Sequence, residues 1–345
     1  MKSKTQTLGK KILVGGATLA MAGSMLATGI VAPFGASAWS SANGKWYSDF
    51  NNYAEASAFA EQIAVQIEAE SMVLMKNNGV LPLASGVKNI SLFGARSYSP
   101  VTGGTGSGGG GGEYYTLPQS LENAGYKINP ALQTVYANNQ TQAMVTAGMW
   151  GGRSNILVDP KADVLEEAEY SYILYGDAAI FTIGRSGGEG SDLLTLDLPT
   201  HSDPYDHVLS LDDNEKAALE YIKSKFSKVI VLVNCANVME LGELENDEEI
   251  DAILWIGQPG NHGLEAVGQV LNGNVNPSGR TVDIYTRNHK LDPTWQNFGL
   301  MDYMNDYGDL GHGQIYGSNG SMTSAASTIM NNGYNTAMKS TTNNT

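Results

Sequence analysis

The stretch Ala178-Ala179-Ile180-Phe181-Thr182-Ile183-Gly184 decides the fold class of this chain. Its apolar residues are continuous rather than alternating, which is typical of a strand that is buried on both faces of a parallel sheet. Other short runs that read as strands occupy residues 90–94, 126–128, 229–233 and 252–256. Segments with helical spacing separate these runs. The sequence therefore predicts an α/β fold, a mainly parallel sheet with helices on both faces (an α/β sandwich).

The helical segments lie before and between the strands. Apolar residues recur at spacings of three and four over residues 53–76, 117–124, 161–176, 212–226 and 264–271. Asp212 and Glu215 form a capping-box pattern, and Asn77-Asn78-Gly79 is predicted to end the first helix. No repeat of solenoid length is visible. We therefore expect one domain over residues 41–298, followed by a polar linker or truncated remainder over residues 299–345.

The first 38 residues have the order of a secretory signal. Four lysines precede a long apolar run at residues 12–34, and Ala36-Ser37-Ala38 follows as a small-residue cleavage site. The apolar run is long enough to span a bilayer if it is not cleaved. We expect residues 1–38 to be a signal peptide or an N-terminal anchor, and the protein to be secreted or associated with the cell envelope.

Charge and cysteine content narrow the classes of ligand. The formal net charge of −15 repels phosphate backbones, so nucleic acid is not an expected partner. The single cysteine, Cys235, lies at the end of a predicted strand and is expected to be an inert thiol. The five histidines show no metal-ligand spacing. We expect neither a metal nor a cofactor.

A glutamate between glycines follows the strand at residues 178–184. In Gly187-Gly188-Glu189-Gly190, with Asp192 just beyond, the glycines let the backbone bring a carboxylate close to a ligand. Ligands of open α/β sheets bind at the carboxyl ends of the strands. Spacing and position alone favour neither alternative: Glu189 is equally well interpreted as a catalytic acid or as a solvated carboxylate in a turn. Glycoside hydrolysis needs a second carboxylate, and no good nucleophile is visible near Glu189.

Two rival motifs occur in the same region of the sequence. Gly184-Arg185-Ser186-Gly187-Gly188 matches the G-x-S-x-G elbow of serine hydrolases, but such an elbow must enter a helix, and the residues that follow read as a loop. Residues 104–109 satisfy the G-x-G-x-x-G pattern of nucleotide-binding loops, but they start well beyond the end of the preceding strand. Both the Ser186 nucleophile and the phosphate loop are therefore disfavoured.

Four segments together resemble the α/β sandwich domain of family-3 glycoside hydrolases, a β-glucosidase-like family. They are EAESMVLMKNNGVLPL at residues 68–83, ISLFG at 90–94, GQPGNHG at 257–263 and GNVNPSGR at 273–280. The last segment is similar to the family's G-x-x-N-P-S-G-R pattern. The resemblance covers residues 60–298, and the position of the domain near the N-terminus resembles family members in which it stands ahead of the barrel.

The resemblance implies hydrolysis of terminal β-glucosides, in simple β-glucoside or oligosaccharide substrates. In many family members a Gly-Glu-Gly loop of this domain supplies the catalytic acid/base, which corresponds here to Glu189. Gly187, Gly188, Gly190 and Asp192 then form the active-site loop, and the family often has Arg where this chain has Leu193.

The resemblance also implies a partner for this domain. The family's nucleophile is an aspartate of a TIM barrel, and the chain has no eight-fold βα repeat. We therefore expect the nucleophile to lie outside this chain and the domain to be incomplete without a barrel. The alternative is a non-catalytic carbohydrate-binding or interaction domain.

Overall fold

A computed structural model describes residues 49–104, 112–139, 141–144, 155–187 and 207–289 of the chain. The expected signal segment, residues 1–38, and the polar segment, residues 299–345, lie outside these ranges, so export stays a prediction. The chain divides into two compact units, residues 1–66 and 67–345. In the first unit, the rings of Phe50 and Phe59 are 5.2 Å apart.

Within the described residues, helices and strands alternate along most of the chain. The α-helices are α1 (Tyr53–Ser71), α2 (Ala95–Tyr98), α3 (Leu117–Asn123), α4 (Pro130–Asn139), α5 (Asp213–Lys225), α6 (Gly242–Asn246) and α7 (Glu265–Leu271). The strands are β1 (Val73–Asn77), β2 (Asn89–Phe93), β3 (Lys127–Ile128), β4 (Thr141–Met144), β5 (Asn155–Val158), β6 (Ala178–Ile183), β7 (Val229–Val233) and β8 (Ala252–Trp255).

Six of these strands form one sheet in the order β1-β8-β7-β6-β2-β3. All neighbouring pairs are parallel except β1 and β8, which are antiparallel. In the central register, Ile180 of β6 lies opposite Leu92 of β2 and Ile230 of β7. The prediction of a mainly parallel sheet is confirmed. Strands β4 and β5 form a separate antiparallel pair.

The prediction for residues 53–76 is wrong at its C-terminal end. The helix ends at Ser71, and residues 73–77 form the edge strand β1 instead. Val73 and Leu74 continued the apolar spacing of the helix by coincidence, but they pair with Trp255 and Leu254 of β8. Hydrogen bonding to a neighbouring strand outweighs local helical spacing in such a short segment. Gly79, with φ of 94°, turns the chain after a strand rather than after a helix.

Other local elements also differ from the sequence predictions. Residues 161–176 were expected to be helical, and the structure has a 3₁₀ helix over Ala162–Ser171 followed by turns. Helix α4 was not predicted, although Asn129 and Pro130 are a start signal: the Asn129 Oδ1 accepts a hydrogen bond from the Ala131 amide at 3.0 Å.

Helices cover both faces of the sheet, as expected for an α/β sandwich. On one face, Phe93 of β2 packs edge-on against Phe226 at the end of α5, with ring centres 5.5 Å apart. Elsewhere α3 and α7 contact each other through Ser120, whose Oγ donates to the Glu265 carbonyl at 3.1 Å. None of the described helices combines the length and apolar character that a bilayer crossing requires.

Candidate active site

The carboxyl ends of β2 and β6 meet where the strand order reverses. From β2 the chain continues to β3 on one side of it and then returns to β6 on the other side. Such a reversal leaves a crevice at the carboxyl edge, since the connections leave the two strands in opposite directions. The loop that contains the predicted acid therefore starts at the topological switch point of the sheet.

Two glycines allow the chain segments to approach closely at this edge. Gly94 follows β2 with φ of 87°, and a Cβ there would lie 2.3 Å from the Thr182 carbonyl oxygen of β6. A Cβ on Gly184 would lie 2.7 Å from the Asn234 carbonyl oxygen. Contacts under 3.0 Å do not accommodate a side chain, so both positions require glycine.

The described residues reach only the beginning of the predicted active-site loop. Gly187 is half-buried at the end of a non-helical segment that follows β6. The other predicted site residues, Gly188, Glu189, Gly190 and Asp192, lie outside the described residues, as does the whole of 188–206. The rival nucleophile Ser186 is half-buried, and residues 184–187 do not begin a helix.

A buried arginine lies where the chain enters this loop. Arg185 has no exposed surface, and its guanidinium contacts both oxygens of Glu215: Nη1 to Oε1 and Nη2 to Oε2 are each 2.7 Å. Nε donates to the Val208 carbonyl at 2.6 Å, and Nη2 donates to the Ser210 carbonyl at 2.8 Å. Burial alone would lower the pKa of Arg185, but the Glu215 carboxylate raises it above its ordinary value.

Glu215 is held by the start of α5. It is the N3 residue of the capping box, in which the Glu215 amide donates to Asp212 Oδ1 at 2.8 Å and the Asp212 amide donates to Glu215 Oε2 at 2.9 Å. The predicted capping box is confirmed. It gives the carboxylate that pairs with Arg185 a fixed position on a helix N-terminus.

A second buried carboxylate lies near this ion pair. Asp159 Oδ1 accepts a hydrogen bond from the Ala95 amide at 2.7 Å, at the start of α2. Its carbonyl accepts from Asn214 Nδ2 at 2.7 Å. Burial, followed by repulsion from Glu215, raises the pKa of Asp159 well above its ordinary value. The residues after β2 and the start of α5 are thus joined through residue 159.

Asn234 connects three loops at the same edge. It follows β7 and is fully buried. Its Oδ1 accepts from the Val101 amide at 2.6 Å, and its Nδ2 donates to the carbonyls of Val101 and Gly257 at 2.9 and 2.8 Å. One amide side chain therefore joins the segments that follow β2, β7 and β8.

The chain is held by hydrogen bonds again at residue 207, where the described residues resume. His207 Nδ1 accepts a hydrogen bond from the Leu209 amide at 3.2 Å, so Nε2 is the protonated nitrogen that donates to Glu240 Oε1 at 2.9 Å. The His289 amide donates to the same Glu240 oxygen. Burial alone would raise the pKa of Glu240, but the hydrogen bonds from His207 and His289 hold it below its ordinary value.

The remaining sequence predictions concern a thiol and metals. Cys235 is fully buried, its Sγ donates to the Asn237 carbonyl at 2.9 Å, and burial raises its pKa to about 12. Such a thiol is a poor nucleophile, as expected. Over the described ranges, no group of three or more His, Cys, Asp or Glu side chains is arranged to hold a metal ion.

Sequence reasoning missed the polar contacts that organise this edge. Arg185 lay inside the quoted loop, but nothing in the spacing pointed to Glu215 as its partner. Asn234 lay at the end of an apolar run and gave no signal of its own. Both are buried polar residues that follow a buried strand, Asn234 directly and Arg185 after Gly184.

The chain is similar to known proteins over most of the described residues. Residues 72–318 match the model of the glycosyl hydrolase family 3 C-terminal domain. A β-glucosidase of Ruminococcus albus is 30% identical over 260 residues, which are 74% of this chain and 25% of that protein. β-Glucosidase A of Butyrivibrio fibrisolvens is 29% identical over 272 residues, which are 71% of this chain and 31% of that protein.

Solved structures share the fold. The structure of β-glucosidase 3B from Thermotoga neapolitana in complex with glucose has a TM-score of 0.56 at 24% identity and covers 72% of this chain and 34% of that one. A β-glucosidase from Paenibacillus barengoltzii has a TM-score of 0.53 at 25% identity, covering 70% of this chain and 26% of that one. This chain thus spans about a third or less of the relatives it matches, and it belongs to glycosyl hydrolase family 3, of which it carries the C-terminal domain.

Proposed function

We propose that this domain supplies the acid/base carboxylate, Glu189, for the retaining hydrolysis of terminal β-glucosides. The observation that carries the proposal is the position of residues 184–187. They leave β6 at the topological switch point, in a chain that belongs to family 3 and whose relatives are named β-glucosidases. The Gly187-Gly188-Glu189-Gly190 segment follows directly from that point.

The reaction needs a second carboxylate, which we assign to a barrel domain outside the described residues. In the first step that carboxylate attacks the anomeric carbon, the glycosidic C–O bond breaks, and Glu189 gives its proton to the leaving oxygen. In the second step ionised Glu189 takes a proton from water. The water oxygen attacks the anomeric carbon and releases the barrel carboxylate. The two carboxyl groups must then lie about 5 to 5.5 Å apart.

The test compares substrates that need an acid with substrates that do not. In a polypeptide that joins this chain to a family-3 barrel, we expect Glu189→Gln to lower kcat/KM for alkyl β-glucosides by roughly 10²- to 10⁴-fold. The 2,4-dinitrophenyl β-glucoside has a leaving group that departs without a proton, so its kcat/KM should change little.

Ser186→Ala is the matched control, since it removes the rival nucleophile from the same segment. We expect it to keep wild-type activity on both substrates. If Glu189→Gln leaves the hydrolysis of alkyl glucosides unchanged, Glu189 is not the acid. A chain that binds glucosides but promotes no hydrolysis when joined to the barrel would instead favour the non-catalytic, carbohydrate-binding alternative.

A further inference from the structure

The two ends of the 188–206 segment converge on one guanidinium. Arg185 precedes the segment, and Val208 and Ser210 follow it, yet the Arg185 side chain hydrogen-bonds to the carbonyls of both at 2.6 and 2.8 Å. A third carbonyl, that of Gly184, accepts from Nη1 at 3.2 Å. The chain therefore leaves and re-enters the described fold at the same side chain.

Every donor of this guanidinium is engaged within the domain. An arginine has five N–H donors. Three are accounted for by the carbonyls of Gly184, Val208 and Ser210, and two by the carboxylate oxygens of Glu215. No donor is left for a substrate, so Arg185 can act on the reaction only through the segments that it holds.

The attraction between the two charges adds little net stability by itself. Arg185 and Glu215 have side-chain exposures of 1% and 4%, so both charges lose nearly all their hydration. Replacing such a pair with apolar residues of similar volume is often neutral or stabilising. What apolar residues cannot reproduce is the planar fork that fixes several backbone carbonyls at once.

We propose that Arg185, oriented by Glu215, is the positioning residue that fixes the ends of the acid/base loop and thereby places Glu189 for proton transfer. This inference rests on the proposed function. A misplacement of a catalytic group by about 1 Å can cost on the order of 10²-fold in rate. Loosening the loop ends therefore slows the step that needs the acid more than the steps that do not.

The direct test replaces the pair with apolar residues. In the chain joined to a family-3 barrel, Arg185→Met combined with Glu215→Leu should still fold, but with a Tm below that of the wild type, because the carbonyls of Gly184, Val208 and Ser210 and the Asp212 amide lose their hydrogen-bond partners. The ratio of kcat/KM for an alkyl β-glucoside to kcat/KM for the 2,4-dinitrophenyl β-glucoside should fall by about 10- to 100-fold. Amide hydrogen exchange over residues 186–207 should become faster, while exchange in α3 and α7 stays unchanged.

Two further variants keep the test decisive. Arg185→Lys retains the charge but loses the fork, and it should lower the same ratio by a smaller factor. Lys223→Met is the matched control: it removes another poorly exposed cation, which contacts Asp247 at 2.6 Å at the other end of α5. We expect it to lower stability and leave the substrate ratio unchanged.

The outcomes separate this inference from the proposed function. If the folded Arg185 variants keep the wild-type substrate ratio while Glu189→Gln loses it, the positioning role is overturned and the acid/base role stands. If Glu189→Gln keeps the ratio, the proposed function fails first. A fall in the ratio that also occurs in Lys223→Met would show a general effect of destabilisation and would overturn the inference.

Discussion

Glu68 is a buried carboxylate near the end of α1. Its side chain is only 7% exposed, and Oε1 has no hydrogen-bond partner among the described residues. Burial raises its pKa from 4.5 to about 7, against a lowering effect of the hydrogen bond from Ser71. The folded domain therefore favours the protonated form of Glu68.

The raised pKa predicts the sign of a pH effect. Because the folded-state pKa lies above the unfolded one, the stabilising contribution is complete below pH 4.5 and is lost as the pH rises through about 7. Glu68→Gln removes this titration. We expect the free energy of unfolding of the variant, relative to the wild type, to rise by up to about 3 kcal/mol between pH 4 and pH 8.

Urea unfolding at a series of pH values measures this difference. Glu122→Gln, which removes an exposed carboxylate of α3, is the control for the loss of one negative charge at the surface. A Glu68→Gln difference that is constant over this range would contradict the buried, protonated state.

At the scale of elements, the edge strand β1 supports the short helix α6. Lys76 Nζ donates to the carbonyls of Leu244, Glu245 and Asp247 at 3.3, 3.1 and 2.5 Å. These carbonyls lie at the C-terminal end of the helix, where no intrahelical N–H is available and where the helix dipole favours a cation. One ammonium thus fixes the segment that leads into β8.

Removing that ammonium should loosen the connection between β1 and α6. We expect Lys76→Met to lower the free energy of unfolding by about 1 to 3 kcal/mol, because the carbonyls lose charge-assisted hydrogen bonds. Chemical denaturation measures the change. Lys88→Met, at an exposed position just before β2, is the control and should leave the free energy of unfolding unchanged within error. If Lys76→Met also leaves it unchanged, water replaces the ammonium without cost and the expectation is contradicted.

The same element shows where sequence reasoning fails. Strand β6 was predicted from its continuous apolar run. Such a run is typical of a strand buried on both faces, and all six residues of β6 are buried. Strand β1 lies at the edge, and only Val73 of its five residues is buried, so its apolar residues end after Met75 and give no long run. Its identity depends on pairing with β8, which is distant in sequence.

At the scale of the whole molecule, fold and site differ in how far the sequence predicts them. The sequence predicts a mainly parallel sheet and places the Gly187-Gly188-Glu189-Gly190 segment after a buried strand. The strand order, which puts the end of β6 at the switch point, is seen only in the fold. The contacts that hold the ends of that segment were not predicted. Arg185 and Glu215 are thirty residues apart, and their pairing depends on how α5 packs beside β6.

The proposed role of Glu189 is that of the acid/base in a two-step reaction. Azide is a nucleophile that needs no general base, so it can replace water in the second step when that base is missing. The decisive measurement is therefore the hydrolysis of 2,4-dinitrophenyl β-glucoside by Glu189→Ala, in this chain joined to a family-3 barrel, with and without azide.

Without azide, we expect slow turnover of the glucosyl-enzyme, since no base activates water. Added azide should raise kcat and yield β-glucosyl azide with the configuration of the substrate retained. Wild-type turnover without azide, together with no glucosyl azide when azide is present, would contradict the assignment of Glu189.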